Sequence, residues 1–382
     1  MKKGTKAALI AAEIISVLVI VLFWIWGGEL HTISGIRQVG DDPYLYTCDY
    51  YAKYDLDEVI EQGIDENSKL VAYVIGKISR GLYKPDPAAF EKKKDTAQSF
   101  ACTSFQAKNA DSETGWIFGR NYDFFKNPTL VVTSIPRKGY RSISICDLSH
   151  LGYSLDKLPK TFASKALCLA SIYAPMDGIN KKGLCVSIMA LPKQAAWQDS
   201  GKSVVGTSII MRLILDRCAT VDEAIALVQS LDIRHDQKAG SGYHYLVADK
   251  DGNCAGIEFD PQDGWKTMIV EKDEASRYMH MTNHLLSPKY YTTEPDETVG
   301  NPHSKSWWRY ETVDAFLSER EGTLSPAEAQ QCLSDVHWKD LVWDNGMVEN
   351  TQWSAVYQQE PRNQKLLLRH WYNYDFTWTF EL

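Results

Sequence analysis

Beyond residue 115 the chain keeps returning to short runs of strand composition, and this series limits the fold more than any other feature. Trp116-Ile117-Phe118, Thr129-Leu130-Val131-Val132-Thr133, Ser142-Ile143-Ser144-Ile145, Ala166-Leu167-Cys168-Leu169-Ala170 and Leu184-Cys185-Val186-Ser187-Ile188-Met189 each read as a strand. Tyr243–Ala248 and Cys254–Phe259 flank Asp249-Lys250-Asp251-Gly252-Asn253, a run of turn formers that predicts a hairpin. Two helices interrupt the series. Val205–Leu215 is apolar on one side, and Thr220-Val221-Asp222-Glu223 is a capping box opening Ala224–Leu231. A second box, Ser325-Pro326-Ala327-Glu328, opens a helix reaching about Val336. Strands, a helix pair and further strands suggest an α+β layered sandwich.

The 382 residues suffice for one large domain or two ordinary ones, each with a sizeable core. With 44% hydrophobic and 24% charged residues, the composition excludes a disordered or collagen-like chain. The net charge of −8, with no Lys/Arg block after the first six residues, argues against nucleic acid as the main partner.

Met1-Lys2-Lys3-Gly4-Thr5-Lys6 is basic, and Ala7–Trp26 is almost wholly apolar, interrupted by Glu13 and Ser16. As a helix, twenty residues span roughly 30 Å, enough to cross a bilayer. The run ends in Phe23-Trp24-Ile25-Trp26 instead of small residues, which suits an uncleaved anchor with its basic head inside and the remaining chain outside the membrane. Residues 28–101 then form a prelude. Within it Leu56, Val59, Ile60, Leu70, Val71, Val74, Ile75 and Ile78 recur at helical spacing across Asp55–Tyr83. Lys84-Pro85-Asp86-Pro87 and Glu91-Lys92-Lys93-Lys94-Asp95 read as an exposed linker, where processing tends to occur. Eight cysteines show no CxxC spacing, which excludes zinc ribbons and thioredoxin motifs, and most read as small buried residues.

Cys102 differs, because polar and turn residues follow it closely. Cys102-Thr103-Ser104-Phe105 leads through a turn-prone stretch to Trp116-Ile117-Phe118-Gly119-Arg120-Asn121-Tyr122-Asp123. A hairpin of that length returns Arg120 and Asp123 towards Cys102. A guanidinium beside a thiol favours the reactive thiolate, and a carboxylate nearby could hold an amino group.

These strings resemble the start of the choloylglycine hydrolase and linear amide hydrolase group, which includes bile salt hydrolases, penicillin V acylases, acid ceramidase and N-acylethanolamine amidase. Asp177-Gly178-Ile179-Asn180-Lys181-Lys182-Gly183-Leu184, Met281-Thr282-Asn283, Ser306-Trp307-Trp308-Arg309-Tyr310 and Thr351-Gln352-Trp353-Ser354-Ala355-Val356-Tyr357 resemble later motifs of that group, in its order. The resemblance covers roughly 102–375. It implies an N-terminal-nucleophile (Ntn) hydrolase, a four-layer αββα sandwich over 102–382, preceded by the anchor (1–27) and the helical, propeptide-like prelude (28–101). It also implies a cut before Cys102 whose new α-amino group serves as base for the thiol. Arg120 would steady the thiolate, Asp123 anchor the amino group, Asn283 donate to the oxyanion and Arg309 support the site. The reaction would be hydrolysis of a linear amide in a small-molecule substrate through a thioester, with no metal or organic cofactor. The prelude would remain bound as a small subunit, because the apolar face of 56–78 needs burial.

Two features depart from the group. Where bile salt hydrolases carry a second oxyanion Asn, ten residues beyond the position of Asn180, this chain has Ala190, whose side chain cannot donate. The prelude is long, as in acid ceramidase. Other readings stay open. His244, His280 or His284 could serve a Cys–His protease; Arg120 and Asp123 could form an ordinary ion pair; Asn180 with Gly183 reads as a turn; Arg309 could stack beside Trp307 and Trp308 in the core. An acyltransferase on the same fold and an inactive cell-surface binding module are the functional alternatives.

Overall fold

The computed structural model describes residues 16, 20, 21, 23–90, 101–192, 194–237, 241–291, 305–342, 346, 348–360, 362–371 and 373–382. Two sheets dominate it. The nine-stranded sheet runs, in spatial order, β1 (Arg37–Val39), β2 (Asp42–Tyr50), β5 (Thr129–Ser134), β6 (Ser142–Asp147), β7 (Asp177–Asn180), β8 (Cys185–Pro192), β11 (Ser241–Ala248), β12 (Cys254–Phe259) and β13 (Thr267–Glu271). The second sheet runs β14 (Tyr278–Met281), β3 (Ala101–Asn109), β4 (Trp116–Phe125), β17 (Val348–Gln359), β18 (Lys365–His370) and β19 (Asn373–Glu381), with β15 (Thr323–Leu324) on β3 and β16 (Leu341–Val342) on β17. A two-stranded ribbon joins β9 (Val204–Gly206) to β10 (Asp232–Arg234).

Alternation along the strands decides the layering. In β3, Ser104 meets Ser187 of the other sheet (Oγ···Oγ 2.9 Å) and Gln106 donates to the Asp249 carbonyl at 2.8 Å. Phe105 and Ala107, on the opposite face, enter a second core with Val313, Leu317, Leu333 and Val336. That core lies beneath helices α7 (Ser306–Glu319) and α8 (Pro326–Asp335). Gly119 is required there, since a Cβ at this position would lie 2.3 Å from the Phe105 ring. Helices α5 (Thr207–Arg217) and α6 (Val221–Gln229) cover the far side of the nine-stranded sheet. The architecture is therefore the expected αββα sandwich. Both stretches open helices, but only the second is a full box: Thr220 Oγ1 accepts from Glu223 N while the Glu223 carboxylate takes Ala219 N, whereas Ser325 and Glu328 cap each other. All eight cysteines are buried free thiols.

One strand expected from composition is absent. Ala166–Tyr173 forms a 3-10 helix continuing directly from α4 (Phe162–Lys165), whose start Thr161 caps. Its small Ala and Ser residues lack the branching that favours a pleated surface.

The larger difference lies in the prelude. The predicted helical stretch appears as α2 (Leu56–Glu61) and α3 (Asn67–Ile78), but the segment before it supplies β1 and β2. Strand β2 pairs in parallel with β5 from Leu45↔Thr129 to Tyr50↔Ser134, so the sheet runs across the expected boundary at residue 102. Leu56, Val59, Ile64, Leu70, Tyr73 and Val74 belong to the main core. Tyr54 Oη donates to Asp216 at 2.7 Å, and Asp42 meets His370 Nδ1 at 2.7 Å with both side chains wholly buried.

A helix over residues 23–35, α1, docks on the prelude: Trp26 Nε1 donates to Ile78 O at 2.8 Å and Glu29 pairs with Arg80 at 2.6 Å. Most of the Ala7–Trp26 run lies outside the described residues, as does Glu91–Asp95. Among the described residues no helix is long and apolar enough to cross a membrane.

Because Asp42 ties the prelude to β18 through a buried pair, Asp42→Ala should strand His370 and lower stability by about 3 kcal/mol, read as a fall in the urea midpoint.

Candidate active site

Cys102 is the second residue of β3 and has no exposed surface. The β3–β4 register sets Ala101 opposite Asp123, Cys102 opposite Tyr122 and Ser104 opposite Arg120. Period-two alternation therefore sends Cys102, Tyr122 and Arg120 to the face between the sheets, and Thr103 and Asp123 to the helix face.

Between the sheets, Cys102 Sγ lies 3.7 Å from Ile188 O, which also accepts from Arg120 Nη2 at 2.7 Å. Arg120 Nε approaches Asp177 at 3.4 Å, and both side chains are wholly buried. Asp177 also accepts from Trp353 Nε1 (2.9 Å) and from Tyr357 Oη. Trp353 stacks on Tyr122 with centroids 4.3 Å apart. Burial pushes the Cys102 thiol up to about 12; Arg120 pulls it down, Asp123 raises it and Arg309 lowers it. The expected effect of the guanidinium is present in direction, and desolvation outweighs it.

The helix face holds the backbone of the same residue. Arg309, from the first turn of α7, donates through Nη1 to Cys102 O and, at 2.9 Å, to Thr103 Oγ1. Its Nη2 reaches Asn283 Oδ1 at 2.6 Å. That same Oδ1 accepts the Cys102 N–H at 2.7 Å. Arg309 is thus not a core residue stacked between tryptophans; Trp307 stacks instead on His284, 4.0 Å away. Asp123 accepts from Thr351 Oγ1 at 2.5 Å through Oδ1, while its Oδ2 is buried and finds no hydrogen-bond partner among the described residues. Burial raises the Asp123 carboxyl to about 6, against the opposing pull of Arg309, the Thr351 hydroxyl and Arg120.

The structure therefore gathers all five sequence-predicted residues around one peptide unit. Asn283 differs in detail from an open oxyanion donor, because its Nδ2 gives a hydrogen bond to Ala190 O at 2.8 Å. Position 190 takes part through its carbonyl. Asn180 closes a turn, accepting from Lys182 N and Leu184 N, with Gly183 at φ +82°. Among the described residues no hydrogen bond joins His244, His280 or His284 to the thiol, and burial lowers His280 to about 4 and His284 to about 3.

Sequence reasoning missed a supporting network behind Asn283. Ser306 Oγ accepts from Asn283 N at 2.8 Å, and His244 Nε2 donates to Thr282 O at 2.8 Å. Glu258 approaches His244 Nδ1 at 3.3 Å and accepts from Leu286 N and Ser287 N, so one buried carboxylate braces both the histidine and the loop after Asn283. The only sequence signal was a charged residue inside the strand run Cys254–Phe259. Asp177 stood within a quoted motif without a role.

A cavity of about 660 Å³, counting its open mouth, lies next to this cluster. It is lined by Ile188, whose carbonyl touches the thiol, by Tyr243 within electrostatic reach of Cys102, and by His150, which hydrogen-bonds Tyr122.

Residues 108–370 match the family model described as acyl-coenzyme A:6-aminopenicillanic acid acyl-transferase. The chain belongs to that family. The matched span begins after Cys102 and includes Arg120, Asp123, Asn283 and Arg309. In fold the chain is similar to a variant of the conjugated bile acid hydrolase from Clostridium perfringens, with TM-score 0.52 and 14% identity, covering 73% of this chain and 92% of that one. A penicillin V acylase from Agrobacterium tumefaciens also matches, with TM-score 0.45 and 14% identity over 74% of this chain and 86% of that one. No curated protein matches the sequence. The cluster lies at the start of β3, between β14 and β4.

The raised Asp123 carboxyl gives a pH signature. The folded chain holds the Asp123 proton up to about pH 6, whereas the ordinary value is 3.8. Between these values the folded state binds more protons, so this group's contribution is intact below about pH 4 and lost as pH rises through 6. In a Cys102→Ala background, Asp123→Asn should remove a fall on the order of 2–3 kcal/mol over that window, measured as urea midpoint against pH.

Proposed function

We propose that this protein is a self-processed cysteine amidase that cleaves a linear, non-peptide C–N bond in a small-molecule amide. The observation that carries the reading is the Cys102 nitrogen, held 2.7 Å from Asn283 Oδ1, with its thiol between the sheets beside Arg120. Cutting the Ala101–Cys102 bond turns that nitrogen into an α-amine beside its own thiol, and the amine then serves as base. The unpartnered Asp123 Oδ2, across the ladder from Ala101, is the acceptor for the protonated amine. Arg120 favours the thiolate once the cut opens the strand end to solvent and relieves its burial. Arg309 fixes the carbonyl side of Cys102 and the Asn283 amide.

In the reaction the thiolate adds to the amide carbon, and the α-ammonium gives its proton to the departing amine. Water, deprotonated by the α-amine, then opens the thioester and releases the acid. Asn283 is the residue that donates to the oxyanion. The similarity to the bile acid hydrolase supports an amide substrate.

The prelude remains bound after the cut in this reading, supported by β2 within the sheet and by the buried faces of α2 and α3. The anchor formed by 7–26 belongs to it as well, holding the catalytic part outside the membrane with the N-terminus inside. Phe23 and Trp24, 64% and 87% exposed where α1 begins, support that assignment.

Intact mass and N-terminal sequencing of the purified full chain test the scheme. A new N-terminus at Cys102 is expected, absent in Cys102→Ala, together with loss of amide turnover by several orders of magnitude. Asn283→Ala should cost about 3 kcal/mol in transition-state stabilisation, read as kcat/KM on a chromogenic amide. An uncut, folded wild-type chain without turnover overturns the reading.

The family's own description favours a second reading, acyl transfer. Supplying an acyl-coenzyme A thioester with 6-aminopenicillanic acid decides between them: N-acylated product in place of free acid identifies a transferase.

A further inference from the structure

We infer that residues 64–70 of the prelude form one wall of the pocket that receives the apolar acyl group of the substrate, so that selectivity is written partly ahead of the cut. The inference rests on the amidase reading and names the part of the chain that recognises the substrate.

The cavity beside Cys102 has two sides of different origin. Met176, Ile188, Ile209 and Tyr243 come from the catalytic portion. Ile64, Asn67 and Leu70, from the link between α2 and α3 and the first turn of α3, face them. Ile64 and Leu70 are 3% and 7% exposed, so their side chains belong to the interior. The wall is also fixed in place. Gly206 N donates to Ile64 O at 3.0 Å, and Gly206 packs so closely that a Cβ there would lie 3.2 Å from Asp65 O. Asp65 is clamped by Lys69 at 2.5 Å and by Arg234, the last residue of β10, at 3.4 Å. The link cannot swing away without breaking these contacts. Ile64, Leu70, Met176, Ile188, Ile209 and Tyr243 give the cavity an apolar side that suits a hydrocarbon or aryl acyl group, with Asp65, Glu66 and Asp236 also in its lining. Each methylene buried there is worth about fourfold in binding.

The experiment compares wild type, Leu70→Trp and Leu70→Ala, each shown to be folded by circular dichroism. Processed proteins are assayed on a series of coumarin amides of straight-chain acids with two to sixteen carbons. Leu70→Trp should shift the optimum to shorter acids, with kcat/KM for the longest falling at least about tenfold relative to the shortest. Leu70→Ala should shift it to longer acids, which keeps the inference testable if the larger side chain prevents folding. The same substitutions in the uncut Cys102→Ala chain are read by displacement of a fluorescent fatty acid, where Leu70→Trp should weaken binding at least about tenfold. If wild type hydrolyses none of the amides, the amidase reading fails, and the fatty-acid affinities still decide the wall. Variants indistinguishable from the parent in both measurements overturn it.

Discussion

Asp177 is the buried charge on which the sandwich turns. It stands in the nine-stranded sheet and accepts from Arg120, Trp353 and Tyr357, all from the opposing sheet. Desolvation raises its carboxyl, and the Arg120 guanidinium and the two aromatic donors oppose that shift. A carboxylate buried without such partners would be costly; with them it registers one sheet over the other. Arg120 is held in place by Asp177 and Ile188 O, and that position is also the one beside the Cys102 thiol. Structural registry and the electrostatics of the Cys102 thiol are therefore one interaction.

The helix face obeys a second economy. Arg309 reaches two backbone or side-chain acceptors of Cys102 and Thr103 and also Asn283. Behind Asn283 stand Ser306, His244 and Glu258, all buried. Because these groups are satisfied before any substrate arrives, the arrangement is organised in advance, which is the condition under which fixed donors act strongly in a water-poor site.

How much of this could be read from the chain depends on sequence distance. Cys102, Arg120 and Asp123 were legible because a single hairpin joins them and alternation fixes their faces. Asn283 and Arg309 were legible only through resemblance, since nothing local links a Thr-Asn pair or a tryptophan-flanked arginine to residue 102. Asp177 and Glu258 gave no usable signal: a lone acid in an apolar run acquires meaning from partners far away in the chain. Strand β2 was missed for the same reason, its parallel partner β5 lying some eighty residues later. The segment Ala166–Tyr173 was misread because short apolar runs do not declare their period.

The parallel pairing of β2 with β5 also orders events in time. Both strands belong to one sheet, yet they lie on opposite sides of the Ala101–Cys102 bond. While that bond is intact the linker keeps β2 at a high effective concentration near its place in the sheet. Were it cut before folding, β2 would have to find β5 as a separate molecule, and until it did β5 would present a bare edge inviting association with other chains. The sandwich must therefore be assembled as one covalent chain, with the prelude acting as an internal template for the sheet it completes.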